Sequence, residues 1–212
     1  MKTLSDGSTL LFNGDSITDC GRARPVGERD GLGEGYVAFV NGLLAVRQPE
    51  KKVRVLNTGV SGNRVIDLQI RWDEDVIALH PNWLSILIGI NDVWRHFDNA
   101  LNPNQVAIDR YEEVYRGLLD RTRPGLDGLV LMTPYFIEPR PEDAMRIQMD
   151  AYGAVVRRLA ADYDAVFVDL QAAFDRVLAH CPSQSLAGDR VHPNKTGHMI
   201  IAESFLEALG IR

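Results

Sequence analysis

Five short runs rich in Val, Ile, Leu and Phe, set between longer segments of helical spacing, constrain this chain more than any other feature. The runs are TLLFN (9–13), VRVLN (53–57), WLSILIG (83–89), GLVLMTP (128–134) and AVFVDL (165–170). Strands with one wet face alternate apolar and polar residues. Near-continuous apolarity instead predicts strands covered on both faces. Between the runs, apolar residues recur at helical spacing over 35–48, 63–79, 104–123, 142–161 and 170–180, and a last helix is predicted over 194–209. Such β-α units, with no Pro/Gly-rich linker, internal repeat or low-complexity stretch, predict one α/β domain over residues 1–212. Its core is a five-stranded parallel sheet with helices on both faces.

The polar residues that interrupt this pattern fall at equivalent places. Gly14-Asp15-Ser16 follows the first strand, NTGVSGN (57–63) the second and GINDVW (89–94) the third; MTPYF closes the fourth, and DRVHPN (189–194) precedes the last helix. In an open α/β sheet the carboxyl ends of the strands are where ligands bind. Hence one rim collects the unusual side chains.

Their types suit nucleophilic chemistry. A serine hydroxyl needs a base to take its proton, an acid to orient that base, and donors for the oxyanion. Ser16 supplies a hydroxyl and His192 an imidazole, and Asp189 lies three residues before the histidine, so one loop can deliver both. Pro193 stiffens that loop and starts the helix. The Ser16 N–H, the Gly62 N–H and the Asn91 amide make three donors. Taken singly, each residue also has an ordinary role. Ser16 reads as an N-cap, Asp189 and Asn91-Asp92 as turn residues, and Gly62 as a left-handed turn. Asp169, at the end of the fifth strand, is a rival acid or the cap of the helix over 170–180. Asp15 can accept backbone N–H groups of the rim. Asp15, Asn63, Arg64, Trp94 and Arg190 flank the set as candidate substrate contacts; Trp94 could stack on a sugar ring or simply pack. Tyr135 and Phe136 read as rim packing.

Together these segments resemble a known family. GDSIT with Ser16, GVSGN with Gly62, GIND with Asn91, and DRVHP with Asp189 and His192 are similar, in order, to the four blocks of the SGNH (GDSL-type) hydrolases, over residues 14–193. The resemblance implies a flavodoxin-like three-layer α/β/α fold and serine ester hydrolysis with no metal or other cofactor. It implies Ser16 as nucleophile and oxyanion donor, Gly62 and Asn91 as further donors, and Asp189 and His192 as the rest of the triad. GDSITDCGRARP, QIRWDEDVIAL, IGINDVWR, LMTPYFIE and DRVHPNKTGHMI look like the intracellular bacterial acetylxylan esterases of that family, which deacetylate xylo-oligosaccharides. Gly188 departs from the pattern, because a large side chain before Asp189 could help wall the pocket. An arylesterase, a thioesterase or a lysophospholipase shares the same motifs, and a non-catalytic glycan-binding module is the reading furthest from them.

Composition narrows the partners. The 23 Lys and Arg against 29 Asp and Glu give a net charge of −6. This disfavours nucleic acid or anionic membrane as the main partner and suits a neutral or cationic small molecule or carbohydrate equally well; the family resemblance implies a small acetylated carbohydrate or other small ester. A homo-oligomer is left open. His80, His96, His180 and His198 are scattered and do not have metal-ligand spacing. Cys20 and Cys181 are expected as reduced thiols, a single bridge between them remaining open. The opening MKTLSDGSTL is not a signal sequence, which gives an expectation of a cytoplasmic protein.

Overall fold

The computed structural model describes residues 3–98 and 105–212. The apolar runs become strands β1 (Thr9–Gly14), β3 (Arg54–Asn57), β4 (Trp83–Leu87), β5 (Gly128–Met132) and β6 (Val166–Val168), with a short β2 (Gly27–Glu28) between the first two. The helices are α1 (Ser16–Asp19), α2 (Tyr36–Arg47), α3 (Val65–Asp75), α4 (Ile90–Trp94), α5 (Ile108–Thr122), α6 (Ala144–Asp162), α7 (Leu170–Leu178) and α8 (Lys195–Ala208). The sheet order is β2-β3-β1-β4-β5-β6. All neighbours are parallel except β2, which runs antiparallel to β3 with Gly27 opposite Asn57. Without β2 this is the flavodoxin-like order, in which the chain switches direction beside its first strand.

The core explains why the runs are continuous. Both faces of β1 are covered, and Leu10, Leu11 and Phe12 are wholly buried. Phe12 meets Tyr36 of α2 edge-on at 5.6 Å and Phe205 of α8 at 5.1 Å, so these two helices cover one face, with α7 beside α8. On the other face lie α3, α5 and α6. Here α5 buries Tyr111, Val114, Tyr115, Leu118, Leu119 and Thr122, the three-and-four spacing of an amphipathic helix. The Trp72 indole of α3 donates to the Thr122 hydroxyl at 2.8 Å and joins two of these helices.

The sheet has six strands rather than five. β2 escapes a sequence reading because it is two residues long and lies in no apolar run. The expected strand over 165–170 is shorter, since Asp169 leaves it to cap α7. The helix expected over 63–79 breaks at Val76 and ends in a tight turn at Ile77–Leu79. The one expected over 104–123 begins at Ile108, and position 104 itself lies outside the described residues. The short helix α4 lies where only a turn was expected, and α1 begins at Ser16 itself rather than after it. Among the described residues no helix is long and apolar enough to cross a membrane.

The end of β1 is unusually tight. A Cβ on Gly14 would overlap the Leu87 carbonyl of β4 and the Thr18 hydroxyl of α1. Gly14→Ala should therefore lose about 1–3 kcal/mol of stability, as overpacked sites do, measured as a lower urea midpoint with an unchanged slope.

Candidate active site

The chain leaves β1 through Asp15, which caps α1 by accepting the Ile17 N–H at 3.0 Å. Ser16 is thus the first helical residue and not the cap. Its side chain is released from capping, and its N–H, in the first turn, has no intrahelical acceptor. The Ser16 hydroxyl lies 3.0 Å from His192 Nε2.

His192 is held by the segment that enters α8. Asn194 caps that helix, accepting from Thr196 and Gly197, while its own N–H donates to the Leu186 carbonyl at 2.7 Å. Asp189 Oδ1 accepts the N–H groups of Val191 and His192 at 3.0 and 2.8 Å, and its Oδ2 lies 2.7 Å from His192 Nδ1. A carboxylate only accepts, so Nδ1 carries the proton and Nε2 presents a lone pair to the serine. Burial raises the Asp189 carboxyl, but hydrogen bonds from the His192 ring and from backbone N–H groups outweigh it and leave the pKa below its ordinary value. The edge of Trp94 backs the imidazole, ring centres 6.0 Å apart. Beneath the loop, Tyr135 and Phe136 are buried and pack under the rim as expected: Tyr135 stacks on Phe174 at 4.4 Å, and Arg190 lies over Phe136.

The other donors come from two neighbouring turns. Gly62 has a φ of +82°, a conformation that favours glycine, although a Cβ there would meet nothing. Its N–H has no acceptor among the described residues. Asn91 is nearly buried and donates one amide hydrogen to the Asn63 carbonyl at 3.0 Å. An amide nitrogen has two hydrogens, so one remains. Ser61 N–H and hydroxyl both donate to Asp19 at 2.9 Å, and Val60 N–H to the Gly14 carbonyl at 3.0 Å, tying this turn to α1 and β1.

The flanking residues separate. Asp15 is wholly buried, so no substrate can reach it; its expected place among substrate contacts is corrected to that of a cap. The Asn63 side chain accepts from Arg71, Arg64 grips Asp67, and Arg190 pairs with Glu138 while lying 4.8 Å over Phe136. Trp94 remains half-buried against His192. Asp169, the rival acid, caps α7 through Ala172 N–H at 3.0 Å and pairs with Arg157 at 2.5 Å. Cys20 and Cys181 are both free thiols. A side chain at Gly188 would point into open space.

Sequence reasoning read Asp92 as a turn residue, and the structure gives it a larger part. It is wholly buried and accepts the Val65 N–H with both oxygens, at 3.0 and 3.2 Å. Adjacent residues of α4 therefore grip the turn at Asn63 and the start of α3. Its one sequence signal was a carboxylate directly following Asn91. Burial pushes Asp15 up to about 7 and Asp92 up to about 8, the charge of Asp15 adding to the second. In the unfolded chain both carboxyls have the ordinary value of 3.8. Between those limits the folded chain binds more protons than the unfolded one, so stability rises as pH falls through the window. Chemical denaturation from about pH 8 to about pH 5 should show the wild type gaining on Asp92→Asn, which cannot titrate there.

Residues 12–200 match the GDSL-like Lipase/Acylhydrolase family. The chain is 52% identical over 210 residues, 98% of its length and 96% of the relative's, to an acetylxylan esterase of Geobacillus stearothermophilus. It superposes on the crystal structure of Axe2, an acetylxylan esterase from that organism, with a TM-score of 0.98, covering 100% of this chain and 98% of that one at 52% identity. Solved catalytic mutants of Axe2 replace a serine, a histidine or an aspartate by alanine. LAE5, an alpha/beta hydrolase from the metagenome of Lake Arreo, is 47% identical with a TM-score of 0.95, over 98% of this chain and 97% of that one. On its motifs, its fold and these similarities, the chain belongs to the GDSL-like lipase/acylhydrolase family.

Proposed function

We propose that this protein hydrolyses acetyl esters of xylan-derived saccharides, with Ser16 as nucleophile, His192 as base and Asp189 as its orienting acid. The observation that carries the reading is the unbroken chain from the Ser16 hydroxyl through His192 to Asp189, with links of 3.0 and 2.7 Å, beside N–H groups that no helix occupies. His192 Nε2 takes the hydroxyl proton as Ser16 Oγ attacks the acetyl carbonyl. The resulting oxyanion is met by the N–H groups of Ser16 and Gly62 and by the Asn91 amide. The C–O bond to the sugar breaks as His192 returns the proton to the departing hydroxyl. Water then enters and attacks the acetyl carbon as His192 takes its proton; the bond to Ser16 Oγ breaks as His192 returns that proton to it, and acetate is released. The side chains and backbone donors supply every proton transfer and charge these steps need.

The choice of acetylated saccharide is supported by the acetylxylan esterase likeness and by Trp94, an indole at the edge of the triad on which a sugar ring can stack. The open space at Gly188 favours a second reading, in which the pocket takes a wider set of esters, as an arylesterase, thioesterase or lysophospholipase would. Rates on acetylated xylo-oligosaccharides, aryl acetates and longer acyl esters separate the two. The first reading requires preference for acetyl on sugar, and a maximum at long acyl chains would sink it.

Ser16→Ala should abolish turnover on every ester while circular dichroism stays native; retained activity would exclude the mechanism. Asn91→Ala should lower kcat about 10²–10³-fold, as loss of an oxyanion donor does. A loss of only a few-fold removes Asn91 from that role.

A further inference from the structure

The mechanism above needs three donors from three separate segments to converge on one oxygen. One side chain that it does not use touches the supports of all three. Arg71 lies on α3 with its side chain only 15% exposed. Its Nε donates to Asn63 Oδ1 at 2.6 Å, Nη1 to the Thr58 carbonyl at 2.7 Å, and Nη2 to the Gly14 carbonyl at 2.9 Å. Nη1 also donates to Asp75, its helical neighbour.

These acceptors are not a random set. Gly14 is the last residue of β1, two before the nucleophile. Thr58 follows β3 at the start of the turn that carries Gly62. Asn63 closes that turn, and its carbonyl accepts the Asn91 amide. A single guanidinium therefore spans from the support of the Ser16 N–H, through the Gly62 turn, to the residue against which Asn91 rests. A structural ion pair on α3 would need Asp75 alone. Here three of the four donated bonds leave the helix and end on the carboxyl rim of the sheet. The planar, five-donor fork of arginine suits this, whereas the ammonium of lysine cannot hold the same divergent acceptors.

We infer that Arg71 is a positioning residue of the oxyanion hole, one that keeps the Ser16, Gly62 and Asn91 donors in register without touching substrate. This rests on the proposed ester hydrolysis and deepens it. Donors aimed at a developing charge act only when held close to their working distances, and the benefit falls on the transition state. Loss of Arg71 should consequently appear in kcat and leave KM nearly alone.

The test is a double-mutant cycle of Arg71→Lys and Asn63→Leu, with kcat and KM measured on an aryl acetate and folding checked by circular dichroism. Arg71→Lys should lower kcat about 10–100-fold, the scale of a small misplacement in an active site, with KM within about twofold. Asn63→Leu, which removes one of the three rim bonds, should lower kcat in the same direction by no more than this, and the double variant should be little worse than Arg71→Lys alone, because Arg71→Lys already breaks the bond that Asn63→Leu removes. Adding free guanidinium to Arg71→Ala should restore part of its kcat, whereas equal sodium chloride should not. The inference is overturned if Arg71→Lys keeps its kcat within about twofold, if the loss falls on KM, or if the two single losses multiply. Should Arg71→Lys fail to fold, Asn63→Leu decides alone, and an unchanged kcat overturns the inference. Ser16→Ala on the same substrate separates the two levels. If it stays active, the mechanism itself has failed; if it is inactive while the Arg71 cycle is flat, only the positioning role has.

Discussion

The burial of β1 between β3 and β4 is the constraint on which the rest of this molecule depends. A strand flanked on both sides and covered on both faces offers no surface except its ends. Its carboxyl end is pressed so closely against the Leu87 carbonyl and the Thr18 hydroxyl that only glycine fits at position 14. The chain must turn at once, and the next two residues divide the work. Asp15 turns inward and caps α1. Ser16 is left with a free N–H and a hydroxyl that faces the loop before α8. The placement of the Ser16 hydroxyl is thus a consequence of packing in the strand below it.

Hydrogen bonds with little redundancy then join the segments that meet there. Asp189 uses one oxygen to shape its own turn and the other to orient His192, so the loop and the imidazole are fixed by the same carboxylate. Asn91 and Asp92, adjacent on α4, grip the Gly62 turn and the start of α3. Arg71 joins that turn to the end of β1. Two carboxyls lie wholly buried beneath the rim, and removing them from water makes their protonated forms unusually persistent. Stability and site geometry are therefore coupled through the same side chains.

Much of this was legible in the order of residues. The five apolar runs lie at β1, β3, β4, β5 and β6, because strands buried on both faces need apolar side chains throughout. The helices around 36–47, 144–162, 170–178 and 195–208 end within two residues of those expected, since their apolar spacing and caps are local. Ser16, Asp189 and His192 meet as their motifs implied. β2 was not legible, because two residues paired with a distant strand show no periodicity. Nor was the complete burial of Asp15 and Asp92: a carboxylate in a turn looks the same in sequence whether it faces solvent or is sealed under a helix.

The sequence by itself determined the fold class, the family and the identities of the hydroxyl and the imidazole, because those depend on residue type and on order along the chain. Only the tertiary structure decided which aspartate caps the helix that Ser16 begins, which one bonds the His192 ring, and that Arg71 of α3 reaches back to Gly14. Those outcomes depend on distances between segments far apart in the chain. Such distances are fixed by how the sheet and its two helical layers pack together.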